Sequence, residues 1–399
     1  MYYDSKFSDN AQNMRQSPIR ELLRNKDLSQ LISFAGGYPN PRTFPIGEIK
    51  EIMLKVMENE GESVLQYSAT EGLLKLRKII SKRYNGLGLD IDHENIIITT
   101  SSQQAIDLTT KVFINPGDNI ICGLPSYLGA LQSFYSFRAS ITGLRNFNGL
   151  KETLEIMSNS GNLPKFIYTI PDFQNPSGET LTVNKRKELI YLAKKYDILI
   201  IEDSPYREIR YEGEDLPMLY SMDNEKVILF GTFSKTFAPG FRIGYIIAPK
   251  EIVRKIAIAK QSSDLCSPVF DQAVVAEFIE CGLFDSNLLK TKEFYKAKRD
   301  FILDCFDKYM PEYVSWTIPD GGIFLFVSLP DYCDTNELFK ISLEENVAFV
   351  AGSLFHSDGS GKNTMRINFS FLDFEKTELG VKILAKNIEK YIEIKKSEL

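Results

Sequence analysis

The chain of 399 residues is 43% hydrophobic and 25% charged, ordinary globular values that exclude extensive disorder and suit two domains, one large and one small. Its formal net charge of −6 argues against nucleic acid or an anionic membrane as the main partner. Five scattered cysteines (Cys122, Cys266, Cys281, Cys305, Cys333) and only two histidines, His93 and His356, speak against a disulfide framework, a zinc site or a histidine-rich metal site, and suit reduced thiols in the cytoplasm. A Ser-His-Asp hydrolase would have to use one of those two histidines. The start of the chain, with Asp4 early and no apolar core, does not resemble a signal peptide, and no apolar run is long enough to span a bilayer. A cytoplasmic protein without membrane contact is expected.

Residues 10–30 read as a polar arm with one helical stretch around Ile19-Arg20-Glu21-Leu22-Leu23. From Ile46 onward, helical patterns alternate with short apolar runs at 96–99, 119–122, 166–169, 198–201, 227–230 and 244–247. Each run is apolar throughout and bounded by turn residues, as expected of strands buried on both faces. Helices between them, such as Val183 to Tyr196, supply crossovers. The expected fold class is therefore α/β, with a mostly parallel sheet flanked by helices. A charged helix over 284–309 leads to a second block, where 322–327 and 365–369 look like strands and 336–345 and 376–393 like helices. This reads as a smaller α+β domain. The expected division is an arm and part of the small domain over 1–45, a large domain over 46–285, and a linking helix with the small domain over 286–399.

Ligands of open parallel sheets sit where loops leave the carboxyl ends of the strands. The segments following the predicted strands are Thr100-Ser101-Ser102-Gln103, Pro125-Ser126-Tyr127, Pro171-Asp172-Phe173-Gln174-Asn175-Pro176, Glu202-Asp203-Ser204-Pro205-Tyr206 and Gly231-Thr232-Phe233-Ser234-Lys235. Every one of them offers a hydrogen-bonding or charged group. In this order the motifs resemble the fold-type I, pyridoxal 5′-phosphate (PLP)-dependent aminotransferases of class I/II. The run from Gly231 through Lys235, Pro239-Gly240 and Arg242 to Gly244-Tyr245 is similar to that family's cofactor-lysine signature. The resemblance covers Ile32 to about Phe371. Ser33-Phe34-Ala35-Gly36-Gly37 and the run Leu65-Gln66-Tyr67-Ser68-Ala69-Thr70-Glu71-Gly72 look most like the branch holding 2-aminoadipate and kynurenine aminotransferases and the catalytic half of certain transcription regulators.

The resemblance implies PLP as cofactor, bound as a Schiff base on Lys235. A lysine amine attacks an aldehyde only when neutral, so burial beside a cation is needed, and Arg242 could supply that field; alone, Lys235 reads as one surface lysine among many. Asp203 would partner the pyridine nitrogen, so that the ring accepts the electrons left by the substrate Cα–H bond; its plain reading is a cap before Ser-Pro. Asn175 and Tyr206 would share the ring's phenolic oxygen, with a cis bond expected before Pro176. Ser102 and Gln103 open a helix over 105–113 whose N–H groups would face the phosphate, and Ser101 stands where the family usually has glycine. A plain N-cap at Ser101 or Ser102 remains open. Thr232, Ser234 and Arg242 would complete the phosphate cup, Tyr127 would stack on the ring, and Tyr67 would reach the phosphate of a neighbouring subunit, which implies a homodimer with shared sites. Arg366, flanked by apolar residues, is costly to bury without an anion, and a substrate α-carboxylate is its natural partner; a structural salt bridge is the alternative. Gly37 would let the backbone approach the substrate. Arg20 either reads the substrate's distal group or is an exposed helical arginine.

The expected activity is ping-pong transfer of an amino group from an L-amino acid (2-aminoadipate, aromatic or similar) to a 2-oxo acid such as 2-oxoglutarate. Lys235 and Asp203 would be the catalytic residues. The alternatives are β-elimination or racemisation on the same scaffold, or a non-catalytic PLP- or amino-acid-sensing module. Sensors of that branch carry a DNA-binding helix-turn-helix ahead of the domain, and the roughly thirty residues before Ile32 are too few for one.

Overall fold

The structure, a computed structural model, describes residues 3–13 and 30–398. Its strands in chain order are β1 (Ile32–Ser33), β2 (Ile96–Thr100), β3 (Asn119–Gly123), β4 (Ser140–Leu144), β5 (Phe166–Thr169), β6 (Leu199–Asp203), β7 (Val227–Thr232), β8 (Ile243–Ile247), β9 (Ser315–Trp316), β10 (Phe324–Ser328), β11 (Val347–Ala348), β12 (Val350–Ala351) and β13 (Thr364–Asn368).

A seven-stranded sheet has the order β2-β8-β7-β6-β5-β3-β4. Neighbours from β4 through β7 pair parallel, whereas β8 is antiparallel to both β7 and β2. All strands but β8 thus point one way, and the mostly parallel sheet flanked by helices expected from the alternation is the one observed. The six apolar runs all fall in this sheet. The edge strand β4 escapes the sequence pattern, because Ser140-Ile141-Thr142-Gly143-Leu144 is only half-buried and lacks an unbroken apolar run. The central strands are buried along nearly their whole length. Each fully buried isoleucine there contributes roughly 1.5–3 kcal/mol over its exposed state.

The strand directions position the site. The carboxyl ends of β2, β3, β5, β6 and β7 lie along one edge, and the reversed β8 brings its amino end, with Arg242 just before it, to the same edge. Helices Ser101–Phe113 and Val183–Tyr196 supply crossovers, and helix Val269–Glu280 packs against helices Ile46–Val64 and Leu74–Asn85.

A second apolar cluster surrounds the antiparallel sheet β12-β13-β10-β9 and the parallel pair β1–β11, with helices Thr335–Glu344 and Phe374–Glu398 against it. The short strands β1, β9, β11 and β12, each of two residues, are too brief to leave a period-2 signal. Helix Leu283–Tyr309 runs from one core into the other: Phe284, Leu288 and Tyr295 pack in the first, Ile302, Cys305 and Phe306 in the second. The chain also crosses between cores after Ala35, since Phe34 and Ala35 belong to the second cluster while Phe44 packs on the first. That crossing carries Gly36-Gly37 into the seam. No helix among the described residues is long and apolar enough to cross a membrane.

Candidate active site

Lys235 lies three residues beyond the end of β7, half-buried, and its Nζ donates to the Gly37 carbonyl at 2.7 Å. Its pKa is lowered to about 8, by burial first, then by the charge of Arg366, and last by Arg242. The expected cationic field is present, but Arg366 contributes more of it than Arg242 does. Gly37 approaches as closely as its lack of a side chain allows, for a Cβ there would stand 3.3 Å from the Phe324 ring.

Asp203 closes β6 and is 2% exposed. Its Oδ2 accepts from the Tyr168 hydroxyl at 2.7 Å, while Oδ1 is buried with no partner. Burial pushes the carboxyl up to about 7, with the Tyr168 hydrogen bond pulling the other way. Tyr206, also buried, is raised well above the usual phenol range, chiefly by burial, and hydrogen-bonds with Asn175. The Asn175–Pro176 bond is cis, as expected, and Leu124–Pro125 is cis as well.

The loop carrying Asn175 is anchored by groups that sequence reasoning passed over. Asp172 and Arg186, both fully buried, pair at 2.7 Å. Arg210 reaches Asp172 at 3.3 Å and stacks its guanidinium 4.6 Å from the Phe173 ring centroid. Phe173 itself adopts φ 52°. A fully buried carboxylate held by arginines fixes where the following residues leave the sheet. An arginine fourteen residues beyond a loop aspartate leaves no pattern by which it could have been found.

At the phosphate position the helix begins one residue after Thr100, its N-cap, and no side chain caps it. The expectation of Ser101 or Ser102 as a plain N-cap is therefore corrected: neither side chain caps the helix, and Ser102 Oγ is buried without a partner. Ser101 takes φ 68°, the left-handed conformation that glycine adopts more readily, so the serine keeps a glycine-like backbone. The Gly244 backbone packs closely on it, since a Cβ on Gly244 would lie 2.7 Å from the Ser101 carbonyl carbon. Thr232 Oγ1 accepts from the Ser234 backbone N–H at 3.1 Å and lies 3.0 Å from its hydroxyl. Arg242 is exposed, with φ 55°, and donates from Nη1 to the Pro239 carbonyl at 3.3 Å.

Tyr127 donates to Gln103 Oε1 at 3.1 Å, and Gln103 Nε2 donates to the Gly129 carbonyl at 2.9 Å. Burial, then the nearby charge of Asp203, raise the Tyr127 pKa. Tyr67 is not brought to this cluster: it is 77% exposed. Arg20 lies outside the described residues.

Arg366 sits in β13, only 8% exposed. Its Nη1 donates to Asn175 Oδ1 at 2.8 Å and its Nη2 to the Ala35 carbonyl at 2.6 Å, while Nε is buried without a partner. Phe324 and Phe355 lie 4.3 and 5.1 Å from the guanidinium, covering it with aromatic rings. Its hydrogen-bond partners are neutral, so the salt-bridge alternative is not what this geometry shows. Burial lowers its pKa to about 10.

The residues present fit PLP. Asp203 Oδ1 and Ser102 Oγ are buried polar atoms lacking partners, which a pyridinium N–H and a phosphate would satisfy. An amine of lowered pKa stands in the same cluster.

The family model for aminotransferase class I and II matches residues 35–384. The chain is 42% identical over 398 residues to aromatic-amino-acid aminotransferase 1 of Thermococcus litoralis, with 97% of this chain and 95% of the relative covered. The crystal structure of multiple substrate aminotransferase from Thermococcus profundus matches with a TM-score of 0.93 at 41% identity, covering 99% of this chain and 100% of that one. LysN, the α-aminoadipate aminotransferase of Thermus thermophilus, solved in complex with N-(5′-phosphopyridoxyl)-L-leucine, matches with a TM-score of 0.90 at 34% identity, covering 99% and 100%. With the family model running through every loop of the site, this chain belongs to the class I and II aminotransferases.

Proposed function

We propose that this PLP-dependent aminotransferase takes the amino group of 2-aminoadipate or an aromatic L-amino acid and hands it to 2-oxoglutarate, with Lys235 as Schiff-base residue and proton carrier. The observation that carries the assignment is Asp203: a buried carboxylate with one oxygen unpartnered at a strand's carboxyl end calls for a cationic N–H donor. When bound, PLP supplies a ring that withdraws the electrons left as the substrate's Cα–H bond breaks.

The chain's own residues do the rest. Asp203 Oδ1 holds the pyridine nitrogen protonated. Tyr206 and Asn175 hold the ring's phenolic oxygen, and Tyr127 covers its face. Ser102, the Gln103 backbone, Thr232, Ser234 and Arg242 take the phosphate. Arg366 grips the α-carboxylate through its fork, and Gly37 admits the substrate backbone beside Lys235. With the cofactor bound, the Lys235 amine, placed beside the Gly37 carbonyl, would take up the proton of the substrate Cα and hand it on. We assign the large cofactor-holding part to 46–285 and the smaller part to 286–399 together with the arm 1–45. The exposure of Tyr67 and Arg242 supports a homodimer in which Tyr67 of a second copy completes the phosphate cup, and reduced, scattered thiols support a cytoplasmic location. Arg20 on the arm is proposed to read the substrate's distal group.

A panel of amino acids offered with 2-oxoglutarate tests the reading. Stoichiometric glutamate and 2-oxo acid, without free ammonia, are expected from 2-aminoadipate or an aromatic donor. Ammonia release or racemised substrate in place of glutamate would overturn it. In Arg20→Ala the ranking of donors should change; an unchanged ranking removes Arg20 from the specificity site.

A further inference from the structure

Tyr168 is a side chain for which the assigned roles leave no use. It is the third residue of β5, and its register partner on β6 is Ile201. Because side chains alternate along a strand, Tyr168, Ile201 and Asp203 share one face of the sheet. The Tyr168 ring packs edge-on against Phe134, with centroids 5.5 Å apart and planes at 78°. That contact fixes the ring, and the ring delivers its hydroxyl to Asp203 Oδ2 at 2.7 Å. Tyr168 is 1% exposed and Asp203 2%, so water does not compete for either group.

We propose that Tyr168 is a positioning residue for the amino-transfer reaction: its hydroxyl engages Asp203 Oδ2, which leaves Oδ1 as the one free acceptor and favours the ionised form of the carboxylate. This rests on the assignment of Asp203 to the pyridine nitrogen. A buried carboxylate facing only apolar neighbours protonates rather than stay charged, and a protonated Asp203 could not hold a pyridinium. One permanent donor on Oδ2 offsets part of that desolvation without occupying the oxygen the cofactor needs. A tyrosine suits this task because its own ionisation, raised well above the ordinary phenol range by burial, keeps it a donor at every physiological pH. Among the described residues, the titratable groups shifted by the charge of Asp203 include Tyr168 on β5, Tyr127 beyond β3 and Tyr206 beyond β6. All three are phenols raised upward, so none of them titrates in the neutral range.

Tyr168→Phe keeps the ring and removes the one hydroxyl. In cofactor-free protein carrying carboxyl-13C aspartate, the Asp203 resonance should titrate about one to two pH units higher in Tyr168→Phe than in the unaltered chain, the range expected for one hydrogen bond to a charged group. After reloading, PLP affinity should fall by roughly tenfold or more, and the acid limb of kcat should move to higher pH in the same direction. In an Asp203→Asn background the same substitution should change affinity little, because the group it serves is gone; that pair of variants also reports whether loss of the hydroxyl merely disturbs folding. A Tyr168→Phe protein with a normal chromophore and an unmoved titration and affinity would sink this role while leaving the cofactor assignment standing. An unaltered chain that acquires no chromophore with PLP would instead sink the assignment beneath it.

Discussion

Lys235→Ala should abolish the visible absorbance that the protein acquires with PLP and lower turnover at least a thousandfold, about the combined worth of a covalent anchor and a positioned proton carrier. The same amine predicts a pH signature. Its pKa of about 8 leaves roughly a tenth of it neutral at pH 7, against about three parts in ten thousand for an ordinary lysine. The rate at which cofactor-free protein captures PLP should therefore rise with pH and level off above about 8. The sign follows from the depressed pKa, since the neutral nucleophile is the form populated on the alkaline side. Stopped-flow absorbance between pH 6 and 10 measures it, and a midpoint near 10 would show that burial and the two arginines do not act on the amine as placed.

Arg366→Lys should retain the chromophore and lose about a hundredfold in kcat/KM for every amino donor, and Arg366→Ala about a thousandfold. The guanidinium presents two parallel donors to a carboxylate, each worth about 1.5–3 kcal/mol when charge-assisted. A lysine offers a point charge without the fork, and without a flat face for Phe324 and Phe355. A second readout separates recognition from folding. Because the charge of Arg366 helps to lower the Lys235 pKa, the PLP-capture midpoint should move upward in Arg366→Ala and stay near its original value in Arg366→Lys. Wild-type kcat/KM in either variant would remove Arg366 from the carboxylate site.

How far the sequence foretold this arrangement depends on the range of each signal. The strands of the sheet interior were legible because Ile96 to Thr99 or Val227 to Phe230 must be apolar on both faces, and that requirement leaves unbroken runs. The edge strand β4 has one side open to solvent and loses that mark. The loops bearing Asp203, Asn175 and Lys235 were legible because each follows such a run directly, and a parallel sheet delivers all of them to one edge. The roles of those residues came from the resemblance rather than from strand patterns. Contacts between strands were another matter. Tyr168 reads as one more apolar residue of β5 until the register with β6 sets it on the face of Asp203. The Asp172–Arg186 pair and the share of Arg366 in lowering the Lys235 pKa arise only when segments far apart in the chain close on one another. Ser101 is a case in between: a departure from the family's glycine was visible, and the structure shows the left-handed backbone kept all the same.

Borohydride reduction of the PLP-loaded protein, followed by peptide mapping, addresses the central claim most directly. A single stable adduct on the peptide containing Lys235, absent when an amino donor has first converted the cofactor to its aminated form, is the predicted result. A colourless protein with no adduct at Lys235, or an adduct spread over surface lysines and indifferent to amino donors, would contradict the account.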